Sequence, residues 1–511
     1  PGKKLFMITL IDNFLNRITM YRLVLYYLVG LLLVSLSFSF YNILPYNPLV
    51  LLFSTLTILF FCFIGNILFA KAFGVVTNTE SIYITALILA LIIPPTSSND
   101  FAGIGFIIFA SLWAMGSKYI FAIGKKHIFN PAAFGIALSA IMIGQSATWW
   151  VAGNLALLPF VLFGGLLIVR KIHRFDLVLS FSFVSLLTVI FTSPSLNHIT
   201  PVVQTLLHSS FLFLAFVMLT EPLSMPPSRT LRILYGAIVG FLFAPNIHIG
   251  SYYFTPEIAL LLGNIFVYLV SPKGRFILTL KRRRRISQDE YEYIFTPDRS
   301  FSFQPGQYLE WTLGHRSVDN RGNRRYFTIA SSPTENNIRL GVKFHEPASS
   351  FKRALGSMKL NHTISVSNLA GDFVLPKNKS KKIAFIAGGI GITPFRSMVQ
   401  YMIDKKDIRS AVLLYSNKRF EEVAFRDIFD RANKEIGLKT IYALTNDKNK
   451  LPGVHNGKID GTLIAREIPD YLDRIFYVSG PRGMVEAFKK TLKNMGISRW
   501  RIKSDYFPGF A

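Results

Sequence analysis

The chain is 511 residues long and 51% hydrophobic, with a mean hydropathy of +0.37, which excludes an ordinary soluble enzyme. The apolarity is uneven: residues up to about 272 form apolar segments with few charges and the rest has a soluble balance, so one unit in a bilayer and one outside it are implied. The net charge of +27 does not point to nucleic acid, because the basic residues of the first half follow a membrane-topology pattern.

In chain order, an N-terminal segment (1–20) precedes about ten apolar stretches, near 22–41, 49–70, 80–94, 101–117, 131–149, 154–170, 176–193, 205–221, 231–246 and 254–272. A crossing helix needs about 20 apolar residues, so the shorter stretches are expected to be tilted, broken or re-entrant. Lys3, Lys4, Arg17, Arg22, Lys71, Lys118, Lys125, Lys126, Arg170, Lys171, Arg174, Arg229, Arg232, Lys273 and Arg275 all fall in alternate connections. The intervening ones, such as NILPYNP and PTSSND, carry no basic residue. The positive-inside rule then makes a multi-pass protein of the inner or plasma membrane, with both termini and everything after 272 cytoplasmic and an even number of spans. Cys62 is the sole cysteine, which leaves no disulfide framework, thiolate zinc site or all-cysteine iron–sulfur cluster within the chain. No cleavable signal peptide is evident, and Pro1–Gly2 reads as a processing scar.

Polar residues gather at the ends of these stretches. Asn78, Asn130 and Thr255 suit N-caps, with Pro131 and Pro256 at the first helical position. Capping does not account for Glu80, Glu221 and Glu257 together, since ionisable groups at membrane depth are costly and default to function. Glu80, Asn130, Thr148, Thr220, Glu221 and Glu257 are therefore the candidates for a membrane flavin site or ion path.

With ESIYITALILALIIPP, FNPAAFG, GGLLIVRKI, FVMLTEPLSMPPSR and PEIALLLGN in this order, residues 12–272 resemble two related membrane proteins: the D component of the Rnf electron-transport complexes and the B component of the Na⁺-translocating NADH:quinone reductases. The resemblance implies a flavin among the helices, electron passage through the membrane, and Na⁺ or H⁺ movement as a coupled process. In that family a threonine of an SGAT-type motif, preceded by Asp, carries covalent FMN. Here the nearest string is GQSATWW, Gly144 to Trp150, with no preceding Asp. A non-covalent FMN or riboflavin is the expectation, with Thr148 kept as the covalent alternative.

After residue 275 the pattern changes to short alternating runs, RFILTLKRRRRIS, EYEYIFTPD, QYLEWTLG, RYFTIASS, NIRLGVKF and TISVSNLAG, which predict an antiparallel β-barrel over 276–377. The Lys281–Arg285 run faces lipid headgroups, nucleotide or plain solvent. An alternating αβ pattern over 378–511 predicts a Rossmann-like α/β domain. Its opening strand runs into Gly388, Gly389 and Gly391, and Thr393 and Pro394 begin a helix. Glycines let a backbone approach a diphosphate, and the helix N-terminus offers free N–H groups and a positive dipole end.

This half resembles the ferredoxin–NADP⁺ reductase family over residues 276–511, through PGQYLEW, RYFTIASSP, PASSFKRAL, AGGIGITP, YVSGPRGMVEAF and the terminal SDYFPGF. By that resemblance FAD and NAD(P)H are the cofactor and substrate. Arg325 pairs with the FAD diphosphate, Phe327 lies against the isoalloxazine, Thr328 hydrogen-bonds near flavin N5, and Ser349 and Ser350 form a second diphosphate contact. Gly388, Gly389, Gly391, Thr393 and Pro394 form the nicotinamide-nucleotide turn. Gly480 and Pro481 lie beside the nicotinamide after Ser479, which replaces the cysteine of many members. Asp505 and Phe507 take the places of the terminal acid and aromatic near the flavin, so Thr328, Ser479, Asp505 and Phe507 are the catalytic candidates. Asn417, Lys418 and Arg419 stand where the adenosine ribose is read, with NADH and NADPH both open.

These readings combine into a fused NAD(P)H dehydrogenase delivering electrons through FAD to a membrane flavin and on to quinone or an extracytoplasmic carrier. No metal site is expected. The competing reading is a haem-type transmembrane ferric reductase or NADPH oxidase, which needs paired axial histidines across two helices. His208 is the only mid-helix candidate, with His127, His173, His198 and His248 in predicted loops.

Overall fold

The computed structural model describes residues 11–505 apart from 13, 16–17, 75–78, 124–125, 194–198, 272–274, 317, 320–321, 345–346 and 447–453. Asn78, His198, Phe507 and the loop cations Lys3, Lys4, Arg17, Lys125 and Lys273 lie outside them. The chain forms two compact units, residues 1–274 and 275–511.

The first unit is helical: α1 Met20–Phe40, α2 Pro48–Ala72, α3 Thr79–Ile92, α4 Phe101–Ile120, α5 Pro131–Ile143, α6 Leu158–Ile172, α7 Phe175–Thr192, α8 Ile199–Leu207, α9 Phe211–Met218, α10 Arg229–Phe243 and α11 Pro256–Val270. Starts follow the caps. Asn130 Oδ1 accepts from Ala133 N at 3.1 Å, with Pro131 at the first position. Thr255 Oγ1 accepts from Ile258 N at 3.4 Å ahead of Pro256. Gly236 and Gly240 let α10 lie on α7: a Cβ on either would stand 2.7 Å from Leu177 O or 2.5 Å from Phe181 O.

The expectation of ten spans needs correction. Each apolar stretch contains helix, but among the described residues only α1, α2, α4 and α7 are long and apolar enough to cross a membrane. A fifth arises if α8 and α9, bent by 60°, count as one broken span. The reason is length. Helices α3, α5 and α11 have 14, 13 and 15 residues, about 20–22 Å at 1.5 Å per residue, against about 30 Å of hydrocarbon. Helix α5 stops at Gly144, φ +67°, and the apolar chain beyond runs through turns before α6. Helix α9 leaves α-geometry for a π-turn over Leu214–Met218, just before Thr220 and Glu221.

The second unit opens with β1 Phe276–Arg285, β2 Glu290–Pro297, β3 Tyr308–Thr312, β4 Arg324–Thr328, β5 Ile338–Lys343, the helix α12 Ser350–Gly356, and β6 Thr363–Ala370. The antiparallel order is β4-β3-β6-β1-β2-β5. The expected antiparallel barrel is thus only a half-barrel: among the described residues β4 and β5 form no ladder, and the bond from Ala330 N to Arg339 O at 2.9 Å lies beside the gap. The basic run Lys281–Arg285 is the exposed half of β1; Arg284 pairs with Glu292 at 3.2 Å and Lys281 donates to Asn361 at 3.3 Å.

Next come β7 Ile383–Gly388, α13 Thr393–Asp404, β8 Ala411–Asn417, α14 Arg426–Ile436, β9 Lys439–Leu444, β10 Val454–Asn456, α15 Gly461–Glu467, β11 Ile475–Ser479, α16 Arg482–Asn494 and β12 Ile502–Asp505. The parallel sheet order is β10-β9-β8-β7-β11-β12. Alternation along β7 sends Phe385 and Ala387 to a core shared with α13 and α14, and Ala384 and Ile386 to one shared with α15 and α16. Helices on both faces of a parallel sheet give the doubly wound α/β fold that the sequence predicts.

Candidate functional site

Two sites meet in the second unit. The first is built on β4 and α12. Arg325 and Thr328 point to opposite faces of β4 and are both buried, at 4% exposure each, while Phe327, on the face of Arg325, is half-buried. The Arg325 guanidinium donates to Gly322 O at 3.0 Å and lies 5.3 Å from the Phe351 ring. Phe327 packs on the same ring at 5.9 Å. Asp319 gathers the rest: its Oδ2 accepts from Ser350 N at 2.8 Å, its N donates to Ser350 Oγ at 3.0 Å, and its Oδ1 stands 3.9 Å from Arg325 Nη2. Ser349 caps α12, accepting from Lys352 N at 3.3 Å. Arg325 and the Ser350 N–H thus already converge on a carboxylate, so the donor set fits an anionic diphosphate. Asp319 and Phe351 are not among the sequence candidates, although Phe351 lies within PASSFKRAL and Asp319 opens the polar stretch DNRGN.

The second site is the turn after β7. Gly389 has φ +49°, a left-handed conformation that favours glycine. A Cβ on Gly391 would stand 2.5 Å from Gly480 Cα, so the β7 and β11 turns touch backbone to backbone. Helix α13 opens at Thr393, whose Oγ1 donates to Ile390 O at 3.2 Å, with Pro394 buried behind it. Pro481 likewise leads into α16. Arg396 of α13 clamps this turn to the first sheet: its guanidinium pairs with both Glu335 oxygens and donates to Ala330 O at 3.1 Å. Ser397 Oγ donates to Ser331 O at 2.6 Å.

Between the sites, Thr328 Oγ1 donates to Asp505 Oδ2 at 3.4 Å, and Asp505 is the ladder partner of Ser479. Three of the four catalytic candidates are therefore neighbours, and Phe507 lies outside the described residues. Asp505 as a residue is half-buried, but its carboxyl is enclosed: burial pushes it up to about 7, and the Thr328 hydrogen bond lowers it only in part. Asn417 is buried at the end of β8, and Lys418 and Arg419 are exposed beyond it.

The six membrane-unit candidates do not form one cluster. Asn130 Nδ2 donates to Glu221 Oε2 at 2.8 Å while its N donates to Asn264 Oδ1 at 2.8 Å, and Asn264 Nδ2 reaches Tyr235 Oη at 3.3 Å. His127 Nε2 lies 3.5 Å from Glu221 Oε1. Asn130 is thus a cap and a bridge at once. Thr220, next to Glu221, returns its hydroxyl to Phe216 O at 2.6 Å. Glu80 pairs with Arg22 at 3.7 Å. Glu257, 3% exposed, accepts from Trp149 Nε1 at 2.8 Å. Thr148 is exposed, and its N–H and that of Trp149 donate to Ile92 O at 3.2 and 2.9 Å, closing the end of α3. None of the described membrane-unit histidines lies inside a helix: His208 falls at the α8–α9 break, His173 caps α6, and His127 and His248 sit in two-residue strands.

Residues 385–490 match the family model of the oxidoreductase NAD-binding domain. Residues 152–273 match that of the NQR2, RnfD, RnfE family. The chain therefore joins a domain of the NQR2, RnfD, RnfE family to an oxidoreductase NAD-binding domain. It is similar to the flavohemoprotein of Oceanobacillus iheyensis, 25% identical over 229 residues, covering 43% of this chain and 56% of that protein. It is also similar to the NADPH oxidoreductase of Mycobacterium tuberculosis, 27% identical over 222 residues (42% and 56%), and to NADH-cytochrome b5 reductase 1 of Aspergillus terreus, 27% over 237 residues (43% and 78%). The chain spans little more than half the length of the flavohemoproteins it matches. Among solved structures, the flavohem-like FAD/NAD binding domain of nitric oxide dioxygenase from Vibrio cholerae aligns with TM-score 0.41 and 18% identity, over 45% of this chain and 98% of that one.

Proposed function

We propose that the chain is a membrane-bound NAD(P)H dehydrogenase. Residues 275–511 bind FAD and oxidise NADH or NADPH, and the electrons pass to the membrane unit and on to quinone or an extracytoplasmic carrier. The observation that carries this reading is the meeting of Thr328, Ser479 and Asp505 beside the glycine turn, in a chain whose other unit bears an NQR2, RnfD, RnfE domain.

FAD, when bound, supplies the exchange between a two-electron hydride donor and one-electron acceptors. Arg325 and the Ser349–Ser350 start of α12 would hold its diphosphate, and Phe327 would lie along its ring system. The Thr328 hydroxyl, backed by Asp505, holds a proton beside the site. The turn Gly388–Thr393 brings the substrate's diphosphate onto the N–H groups of α13, whose register Arg396 fixes through Glu335. A second flavin, FMN or riboflavin, belongs to the membrane unit in this reading and is held without a covalent bond, with attachment at Thr148 as the alternative.

The Asn130–Glu221–His127 cluster, joined through Asn264 to Tyr235, supports coupling to Na⁺ or H⁺ movement. It is a linked set of polar groups at the ends of short helices, where an ion can shed water onto oxygen ligands. The haem-type reductase receives no comparable support, because the described histidines offer no helical pair.

Both termini and the soluble unit are proposed to be cytoplasmic, so sealed inverted vesicles present the nucleotide site to the medium. Vesicles containing the protein should consume NADH or NADPH and reduce a quinone analogue. Coupling adds Na⁺ uptake or a membrane potential during turnover. Vesicles that consume neither nucleotide contradict the function; turnover with no ion dependence and no potential contradicts the coupling alone.

A further inference from the structure

The glycine turn faces an acid that none of the roles above uses. Glu290, the first residue of β2, is fully buried, and a Cβ on Gly389 would stand 4.0 Å from its Oε1. Among the described residues the groups that favour its charged form are the Lys343 ammonium and the Ser287 hydroxyl. Its counter-ion is Lys343, the cross-strand partner on β5, with Nζ at 3.4 Å from Oε1. Lys343 is shared: Glu422, in the turn after β8, lies 4.0 Å away.

Among the described residues, the other elements around Glu290 add no second ion-pair partner. Tyr415 of β8 donates to Gly389 O at 3.2 Å, and burial and the Glu290 charge both disfavour its ionisation, so the phenol stays protonated. Ser287, in the preceding turn, donates its N–H to Glu290 O at 3.3 Å. Arg285, the nearest described arginine in sequence, is turned to the Ser287 and Gln288 carbonyls. One lysine thus serves two carboxylates directly beside a turn shaped for an anionic diphosphate. A diphosphate arriving there competes for the same ammonium and adds negative charge next to a buried carboxylate, which disfavours the ionised acid.

We propose that nucleotide binding is a charge exchange: the diphosphate takes the Lys343 ammonium, and Glu290 takes up one proton from solvent. Glu290 then acts as a positioning residue, holding Lys343 at the turn until nucleotide arrives and becoming neutral when it does. Burial raises the Glu290 carboxyl above its ordinary range even before nucleotide binds, with Glu422 adding to the rise, and Lys343 and the Ser287 hydroxyl offset only part of it. Affinity should therefore weaken as pH rises, because the bound state holds more protons than the free one.

This inference rests on the nucleotide site proposed above, and its test separates the two. The detergent-purified full chain is titrated with NAD⁺ by calorimetry in two buffers of different ionisation enthalpy, between about pH 5.5 and 8. NAD⁺ is the probe because a 2′-phosphate would itself titrate near pH 6; NADP⁺ replaces it only if NAD⁺ does not bind. The expected result is uptake of up to one proton per nucleotide and a Kd that weakens by as much as tenfold per pH unit. Glu290→Gln should bind without proton uptake, with a Kd flat across the range, and Glu422→Gln should keep the uptake. Binding by the wild-type chain with no proton uptake, or unchanged uptake in Glu290→Gln, overturns the exchange and leaves the nucleotide site standing. Failure of both nucleotides to bind at any pH overturns the site and the exchange together.

Discussion

Thr328 donates its hydroxyl proton to the Asp505 carboxylate at 3.4 Å, joining positions 177 residues apart in the chain. Thr328 ends the β4 strand of the first sheet, and Asp505 ends the β12 edge strand of the second. The bond therefore ties the proposed flavin wall to the proposed nucleotide lobe.

That bond sets a pH dependence. The Asp505 carboxyl is raised to about 7, with burial the main cause, so it is protonated below neutrality and ionised above. Only the protonated acid lets Thr328 aim its own proton into the site. NAD(P)H oxidation by the wild-type chain should fall above about pH 7, and Asp505→Asn should show no such limb in stopped-flow traces. For stability the sign is negative: between the ordinary carboxyl range and about 7 the folded state holds the extra proton, so this group weakens the fold as pH rises.

Arg325→Ala should loosen FAD without unfolding the second unit. A charge-assisted hydrogen bond contributes about 1.5–3 kcal/mol, so affinity should fall roughly 10- to 100-fold. Flavin retained after desalting reads it directly. Retention equal to wild type would mean that Arg325 serves the protein's own groups and not the flavin.

Gly391→Leu should remove nucleotide binding and also lower stability, because the new side chain must part the β7 and β11 turns. A substitution that only blocked the ligand would leave thermal unfolding unchanged. Unfolding and nucleotide titration of the same sample distinguish the two.

Trp149→Phe leaves the buried Glu257 oxygen without its donor. An unmade buried bond costs about 1–3 kcal/mol. The membrane unit should therefore unfold several degrees earlier in detergent, whereas Trp150→Phe releases only a main-chain acceptor, Ala90 O.

How much of this was legible in the sequence depended on the range of the contacts. The glycine turn could be read locally, because strand, glycines and helix start are consecutive. The neighbouring positions of Thr328, Ser479 and Asp505 came from family resemblance, since no local pattern links strands so far apart in sequence. The short membrane helices were not legible: the apolar runs of α3 and α5 continue past the last helical turn, and composition does not show where Gly144 turns the chain. Sheet closure failed for a similar reason, since it depends on how residues 329–337 fold between β4 and β5. Glu290 and Lys343 are a cross-strand pair, visible only once register is known.

The most direct test of the central claim is the flavin content of the purified chain, with acid-extractable and protein-bound fractions separated, followed by reduction with NADH and with NADPH. The account predicts two flavins per chain, FAD and an extractable FMN or riboflavin, both bleached by one of the two nucleotides. FAD alone, or a second flavin that neither nucleotide reduces, would contradict an electron path from the soluble unit into the membrane.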